Sequence, residues 1–231
     1  DDRSTERGVD FYRQVLEFDE RPDLGRENGV WPMRSAEAAE MAKIVETTYR
    51  NVNIGLANEF ACFSESNGID IYEVIEAANS QPFSNVHRPG IAVGGHCIPV
   101  YTKFYLSNDP EARLPASSIE VNESMPAHAV ETIRMFYGPL ADRTVVVLGA
   151  SYRGGVKETA FSGVAPLVDL LVAQGAVPLV HDPMFDDEEL ADLGFESYRF
   201  GEPCDIAVLQ ADHDEYRLLS SGDLPGARFV Y

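Results

Sequence analysis

Residues 144–155 read TVVVLGASYRGG, an apolar run that ends in a glycine-bearing turn. Such a stretch is typical of a buried strand followed by the turn at which parallel α/β sheets bind phosphates and nucleotides. The turn does not have the GxGxxG spacing of a dinucleotide site, and glycines also occur in such turns for packing reasons. By itself the stretch indicates a sheet strand and gives only a weak signal for a ligand site.

The pattern around this strand extends the sheet towards the end of the sequence. After Gly138-Pro139, short apolar runs alternate with a helical stretch over residues 165–173. This alternation is characteristic of βαβ units, which form a parallel sheet flanked by helices. We therefore predict an α/β fold in which this part is a Rossmann-like, three-layer α/β/α domain. The predicted strands cover residues 144–148, 177–180, 206–209 and 229–231.

The residues before the sheet have the spacing of helices. Ser35 can cap a long helix that continues to about Asn67, with Gly68 as its stop. Shorter helices are predicted over residues 71–78 and 117–137. The small residues of the long helix, residues 36–67, suggest packing against a copy of itself or against a second long helix, so this all-helical part is interpreted as a dimerisation domain. A long central helix within one subunit is the alternative.

These patterns divide the chain into three predicted parts. Residues 1–34 are polar, with a short amphipathic piece over residues 9–18, and are interpreted as the tail of a preceding domain and a linker. Residues 35–137 form the helical domain and residues 138–231 the α/β domain. Because the sequence starts without Met and stops inside a predicted buried strand, it is expected to be a fragment of a longer protein.

The overall charge and the cysteine content exclude several classes of protein. Eighteen basic against thirty-eight acidic residues give a net charge of −20, so the surface repels nucleic acid and anionic membranes. The acidic residues are dispersed, which suits a salt-adapted (halophilic) cytoplasm or an ordinary acidic enzyme. The sequence has no apolar signal region and no run of about 18 apolar residues that could span a membrane. Cys62, Cys97 and Cys204 are widely spaced, which favours a reducing cytoplasm over a disulfide framework.

One cysteine lies in a loop suited to close contact with a ligand. Residues 87–99, HRPGIAVGGHCIP, place Cys97 after two glycines and before a rigid Ile-Pro pair. A thiolate there is a candidate nucleophile, whereas a small buried cysteine is the plainer alternative. Zinc is not expected, because adjacent side chains rarely reach one metal and no second ligand pair follows. Lys43, with Thr47 on the same helical face, is either a site lysine that polarises an oxygen or a surface lysine.

Three stretches together resemble one protein family. They are AEMAKIVETTYRNVNIGLANE (39–59), GIDIYEVIEAAN (68–79) and HRPGIAVGGHCIPV (87–100), and they resemble the UDP-glucose/GDP-mannose dehydrogenase family. The His-Cys-Ile-Pro form of the loop and the YRNVNIGLANE helix are most similar to its UDP-N-acetyl-D-mannosamine 6-dehydrogenase branch. The motifs LGASYRGGVKET and HDPMF resemble the family's second nucleotide-binding domain, which binds the UDP-sugar.

The resemblance implies an NAD-dependent, four-electron oxidation of the C6 alcohol of a UDP-sugar to a carboxylate, in the synthesis of surface polysaccharide or glycan precursors. Cys97 is the implied nucleophile, which captures the aldehyde and carries a later thioester. Lys43, with Thr47 beside it, is the implied oxyanion-stabilising group. The implied substrate-binding residues are Arg88, Gly94, Gly95, Tyr152 and Arg153.

Several positions depart from the family's usual pattern. Thr47 replaces an asparagine, Tyr101 an aspartate, and Ala160 an arginine that contacts a neighbouring subunit's cofactor. No strand is followed by a GxGxxG fingerprint, so the main NAD site is expected outside these 231 residues and the chain alone is expected to be inactive. The alternatives are a UDP-glucose 6-dehydrogenase, a catalytically silent dimerisation or nucleotide-sugar-binding homologue, and another member of the wider 6-phosphogluconate-dehydrogenase-like helical group.

Overall fold

The first helix of the chain is α1 (Asp2–Val15), in a computed structural model that describes residues 2–231. It begins and ends earlier than the amphipathic piece predicted over residues 9–18. The backbone groups into a first unit that ends at Val45 and a second unit, Glu46–Tyr231. The domain boundaries proposed near residues 34 and 137 stay a prediction.

The long helix predicted before Gly68 is present as α2 (Ala36–Asn67). Gly68 follows with φ +67°, a left-handed conformation that glycine adopts without steric cost, and this ends the helix. The next helix is α3 (Ile71–Asn79), and the Asp70 carboxylate caps it by accepting the N–H of Tyr72 at 2.9 Å. Both predicted helices are therefore confirmed to within a residue at each end.

The next two helices are α4 (Ile98–Asn108), which the sequence patterns did not predict, and α5 (Arg113–Tyr137), which starts earlier than predicted. The aromatic and β-branched residues of α4 favour strands on propensity alone. Burial of Ile98 and Thr102 against the rest of the chain decides for a helix. Pro99 is tolerated because the first turn of a helix leaves its N–H groups unpaired. Within residues 2–231, no helix is both long and apolar enough to cross a membrane.

A four-stranded parallel sheet fills the last part of the chain and confirms the α/β fold class. The strands lie in the order β2-β1-β3-β4, so β1 and β3 are central. All four predicted strands are present, and α7 is a short addition that the patterns missed. The elements are β1 (Thr144–Leu148), α6 (Val164–Ala173), β2 (Val177–His181), α7 (Asp187–Asp192), β3 (Ile206–Leu209) and β4 (Phe229–Val230).

The two faces of the sheet are covered differently. Alternate residues of β1 point to opposite faces, as the pleat of a strand requires. Val145 and Val147 pack in one core with residues of α5, α6 and α7. Val146 and Leu148 pack in a second core with Tyr216, which lies on a 3-10 helix, Asp214–Leu218. The third layer of the predicted α/β/α arrangement therefore consists of this 3-10 helix and loop residues.

Candidate functional site

Cys97 lies at the N-terminal end of α4. Its φ and ψ are −93° and −61°, and its carbonyl oxygen accepts the N–H of Tyr101 at 2.9 Å. The residue is half-buried. The first N–H groups of a helix and its aligned peptide dipoles stabilise negative charge at this end. Cys97 is therefore the N-cap residue of α4, and its side chain makes no hydrogen bond to the first N–H groups of that helix.

The other two cysteines lie where ionisation is opposed. Burial, followed by the charge of Glu65, raises the pKa of the Cys62 thiol. Burial also raises the pKa of Cys204, which packs in the core between the sheet and the 3-10 helix. Both positions suit a packing role for a small, weakly polar side chain. Cys62 and Cys204 are thus internal controls for the reactivity of Cys97.

Gly94 and Gly95 bring the cysteine-bearing loop directly against Tyr152, which follows β1. A Cβ on residue 94 would stand 2.3 Å from the Cβ of Tyr152, closer than real Cβ atoms come to another heavy atom. A Cβ on residue 95 would stand 3.2 Å from the Tyr152 ring, and Gly95 has φ +82°. Glycine is therefore required at residue 94 by space and at residue 95 by backbone conformation as well. Three of the predicted substrate-binding residues lie together.

Residues 158–163, which follow the turn after β1, contact the loop that carries Cys97. The N–H of Gly95 donates to the carbonyl oxygen of Ala160 at 2.8 Å. A Cβ on Gly163 would stand 2.9 Å from the Cβ of Ala92, so the two segments are in close contact. The Ala160 contact is made by the backbone and does not depend on the side chain at that position.

A histidine–glutamate pair joins the same two segments at the surface. Nε2 of His96 lies 3.0 Å from the carboxylate of Glu158, which also accepts the N–H of Ala160 at 2.9 Å. The His96 hydrogen bond, followed by that from Ala160, lowers the pKa of Glu158 below its ordinary value. The carbonyl oxygen of Glu158 accepts the N–H of Tyr152 at 2.9 Å. Glu158 therefore links the residue before Cys97 to the residue that packs under the loop.

The turn after β1 does not offer its backbone to a phosphate. Most of its amide groups already donate hydrogen bonds to acceptors within the chain. They are therefore not available to bind a phosphate, as the amides of such turns do in other proteins. The side chains that the turn presents include those of Tyr152 and Arg153. The bonds run from Ala150 and Ser151 to Asp182, from Tyr152 to Glu158, from Gly154 to Asp212 and from Gly155 to His213.

Both predicted substrate-binding arginines are exposed cations. The Nε of Arg153 donates to the Tyr152 hydroxyl at 3.3 Å, and its guanidinium carbon lies 5.8 Å from the ring centroid. Arg88 precedes the two glycines, and its charge opposes the burial that raises the pKa of Tyr72 on α3. An exposed guanidinium suits bidentate pairing with phosphate oxygens.

The remaining predicted catalytic residues lie on α2. Thr47 is fully buried in the second unit, and Lys43, one helical turn earlier, belongs to the first unit. Tyr101 follows Cys97 by one turn of α4, and its ring meets Phe104 edge to face with centroids 5.7 Å apart.

Buried asparagines, which were not predicted as site residues, bind the backbone at the beginning of the loop that carries Cys97. Asn58, fully buried on α2, accepts the N–H of Gly90 at 2.9 Å and donates to the Asn122 side chain at 2.8 Å. Asn79 on α3 bonds both backbone groups of Val86, at 2.7 and 2.9 Å. Asparagine is unfavourable inside helices, so repeated asparagines in YRNVNIGLANE were the available signal. Their buried amides require partners, and the loop backbone supplies several of them.

A cavity of about 440 Å³ lies behind the loop and is separate from the thiol. Pro99 and Lys103 of α4 line it. Two residues along a helix correspond to roughly half a turn, so these side chains point away from the side that carries Cys97 and Tyr101. The rest of the lining comes from the buried amide of Asn51, from Ala92 and Val93 of the loop, and from residues of α5 and the 159–166 segment.

Two family models match this chain and cover both the helical part and the sheet. One describes the central domain of the UDP-glucose/GDP-mannose dehydrogenase family and matches residues 37–125, and the other describes the UDP binding domain of that family and matches residues 146–227. The chain belongs to the UDP-glucose/GDP-mannose dehydrogenase family. The first match includes Cys97 and its loop, and the second includes Tyr152 and Arg153. The family resemblance predicted from the three sequence stretches is therefore confirmed.

Individual relatives are similar to this chain over most of its length. It is 36% identical over 192 residues to a UDP-N-acetyl-D-mannosamine dehydrogenase of Methanocaldococcus jannaschii, covering 83% of this chain and 44% of that protein. A solved UDP-N-acetyl-mannosamine dehydrogenase from Staphylococcus aureus is 30% identical, with a TM-score of 0.76 over 97% of this chain and 50% of the other. A UDP-glucose dehydrogenase structure from Pyrobaculum islandicum, 22% identical, shares the fold with a TM-score of 0.82 over 100% of this chain and 56% of the other. The chain spans about half the length of these relatives.

Proposed function

We propose that this chain carries the nucleophile and the UDP-sugar contacts of an NAD-dependent UDP-sugar 6-dehydrogenase, with UDP-N-acetyl-D-mannosamine as the substrate. The observation that carries the proposal is the contact of Gly94 and Gly95 with Tyr152, which joins the Cys97 loop of the central domain to the UDP binding domain. The relatives that are at least 30% identical and carry a UDP-N-acetylmannosamine name support this substrate over UDP-glucose.

In this proposal one set of residues acts on the sugar end of the substrate and another set on its nucleotide end. The Cys97 sulfur forms a bond to the C6 aldehyde carbon, and the same C–S bond breaks when water hydrolyses the later thioester to the carboxylate. Lys43, with Thr47 beside it, stabilises the oxyanion that forms on the former aldehyde oxygen. The nucleotide part is held through charge and close packing by Arg88, Gly94, Gly95, Tyr152 and Arg153.

NAD supplies the hydride acceptor of the proposed reaction, but these residues do not fit a dinucleotide site. The sequence has no GxGxxG fingerprint after a strand. In the turn that follows β1, backbone amides already donate hydrogen bonds to Asp182, Asp212 and His213. We therefore propose that the chain alone binds UDP-sugar without oxidising it. The formation of NADH by the purified chain with UDP-N-acetyl-D-mannosamine would contradict this.

The test of the site is thiol labelling at neutral pH followed by peptide mass spectrometry. We expect Cys97 to react roughly tenfold faster than Cys62 and Cys204, because burial raises the pKa of both of those thiols. UDP-N-acetyl-D-mannosamine should slow the labelling of Cys97 and leave the other two unchanged. UDP-glucose is the competitor, and stronger protection by it would favour the UDP-glucose 6-dehydrogenase alternative. A Cys97 that reacts no faster than Cys62 would favour the catalytically silent homologue.

We also propose that a second copy of the chain packs on α2. The face of α2 that it contacts is not the one that carries the small residues. The small and polar residues of α2 are used within the chain, since a Cβ on Gly55 would stand 3.0 Å from Ser118 of α5. The opposite face carries a row of exposed large side chains at heptad-like spacing, which is typical of a helix–helix interface. Its members in the second unit are Tyr49, Leu56, Phe60 and Phe63.

Sedimentation equilibrium tests this dimer. Replacing both Leu56 and Phe63 by Glu should convert a dimer to a monomer without loss of helix content, because both side chains are exposed in the single chain. The matched control is Leu114→Glu, which is exposed on α5 outside the row. A monomeric unaltered chain, or a dimer that survives the double substitution, would contradict the proposed interface.

A further inference from the structure

A buried carboxylate at the end of β2 organises the turn that carries Tyr152 and Arg153. Asp182 is 2% exposed and accepts the N–H groups of Ala150 and Ser151, each at 2.9 Å, on one oxygen. Its other oxygen accepts the N–H of Met184 at 2.8 Å. A buried carboxylate requires several such donors to offset its lost hydration, and here the backbone provides three of them.

His213 supplies the fourth donor and ties the other end of the same turn. Its side chain is 1% exposed, and Nε2 lies 3.1 Å from Asp182. Nδ1 lies 3.3 Å from the backbone nitrogen of Gly155, which can only donate. Nδ1 is therefore the acceptor and Nε2 the donor towards Asp182, so one imidazole bridges the two ends of the turn.

Tyr152 and Arg153 occupy the interval between these two anchored ends. Gly154 lies so close to Asp212 that a Cβ on residue 154 would stand 2.3 Å from the Asp212 carbonyl oxygen. The backbone of the turn therefore cannot move further towards Asp212. The Tyr152 ring, fixed in this way, packs beneath Gly94 and Gly95. The backbone from which both side chains extend is thus held by bonds that do not involve those side chains.

We propose that Asp182 and His213 are positioning residues for nucleotide-sugar binding, which hold Tyr152 and Arg153 in the orientation that meets the ligand and the cysteine-bearing loop. This assignment rests on the proposed UDP-sugar function. Neither residue contacts the ligand in it, because both are buried beneath the turn. Site geometry held by a supporting shell of hydrogen bonds is a general requirement for precise binding.

The experiment measures UDP affinity by calorimetry, and thermal stability, for the unaltered chain and a set of variants. Asp182→Asn and His213→Ala should each weaken UDP binding about tenfold or more. The matched control is Leu171→Ala, a fully buried residue of α6 that makes none of the hydrogen bonds of the turn. It should lower the melting temperature and leave the UDP affinity within about twofold. Two conservative variants test for rescue, because His213→Gln keeps a donor towards Asp182 and His213→Asn keeps an acceptor towards Gly155. Each should bind UDP more tightly than His213→Ala.

The outcomes separate this assignment from the proposed function. If the unaltered chain does not bind UDP, the proposed function is wrong and the positioning role falls with it. If the chain binds UDP but Asp182→Asn and His213→Ala bind it as tightly as Leu171→Ala, only the positioning role is wrong. Should those two variants fail to fold, hydrogen exchange on the unaltered chain decides. UDP should slow exchange of the Ala150, Ser151 and Gly155 amides, because coupling between ligand and turn is reciprocal, and unchanged exchange would overturn the assignment.

Discussion

Gly94 and Tyr152 lie so close together that a Cβ on residue 94 would stand 2.3 Å from the Cβ of Tyr152. We expect Gly94→Ala to push the loop away from the β1 turn and to destabilise the fold by about 1–3 kcal/mol, the usual range for overpacking. UDP affinity and the selective labelling of Cys97 should fall together. The matched control is Gly90→Ala in the same loop, where the nearest atom to the added methyl is 3.9 Å away. Equal stability of the two variants, measured by urea unfolding, would contradict the contact.

Asn58 should be a strong determinant of stability although it lies outside the proposed chemistry. Asn58→Ala leaves the Gly90 N–H and the Asn122 side-chain oxygen without their present partner. The expected loss is about 2–4 kcal/mol of unfolding free energy, since each buried group left unpaired costs about 1–3 kcal/mol. Asn67→Ala, at the exposed end of the same helix, should change stability by less than about 0.5 kcal/mol. A small effect at Asn58 in denaturant titrations would mean that water replaces its contacts.

The pair formed by His96 and Glu158 should weaken in acid. Because the folded-state pKa of Glu158 is lowered, its contribution to stability is present above the ordinary glutamate pKa and is lost as the pH falls through the lowered value. His96→Ala removes the largest cause of the shift and should raise the Glu158 pKa towards its ordinary value. A carbon-detected NMR titration of the Glu158 carboxyl group in the unaltered chain and in His96→Ala measures this. An unchanged Glu158 titration would show that the pair does not form in solution.

The acidic surface should make the fold more stable in salt. A net charge of −20 repels itself, and raising the ionic strength from about 0.1 to 1 M shortens the screening length from about 10 to 3 Å. The melting temperature should rise over this range of KCl. The rise should be smaller when exposed acidic residues are neutralised, as in a variant that combines Glu188→Gln, Asp192→Asn and Glu202→Gln. A flat or falling melting temperature would favour an ordinary acidic enzyme over a salt-adapted one.

Local patterns in the sequence determined which elements form in the sheet and in the long helix. The strands follow from short apolar runs, and α2 follows from its periodicity and from Gly68 at its end. The family likewise followed from contiguous motifs, and both family models match the segments in which those motifs lie. In each case the information lies among neighbours along the chain, because strands and helices form from local side-chain spacing.

Only the tertiary structure decided what these elements contact. The residues of α4 favour a strand by propensity, and the burial of Ile98 and Thr102 reversed that preference. The small residues of α2 suggested a partner helix without indicating which one, and α5 occupies that face. Asp182 stood out in the sequence only as part of the HDPMF motif and His213 not at all, and the fold buries both under one turn. Such contacts join segments far apart in the chain, so their partners are set by the packing of the whole core rather than by any local pattern.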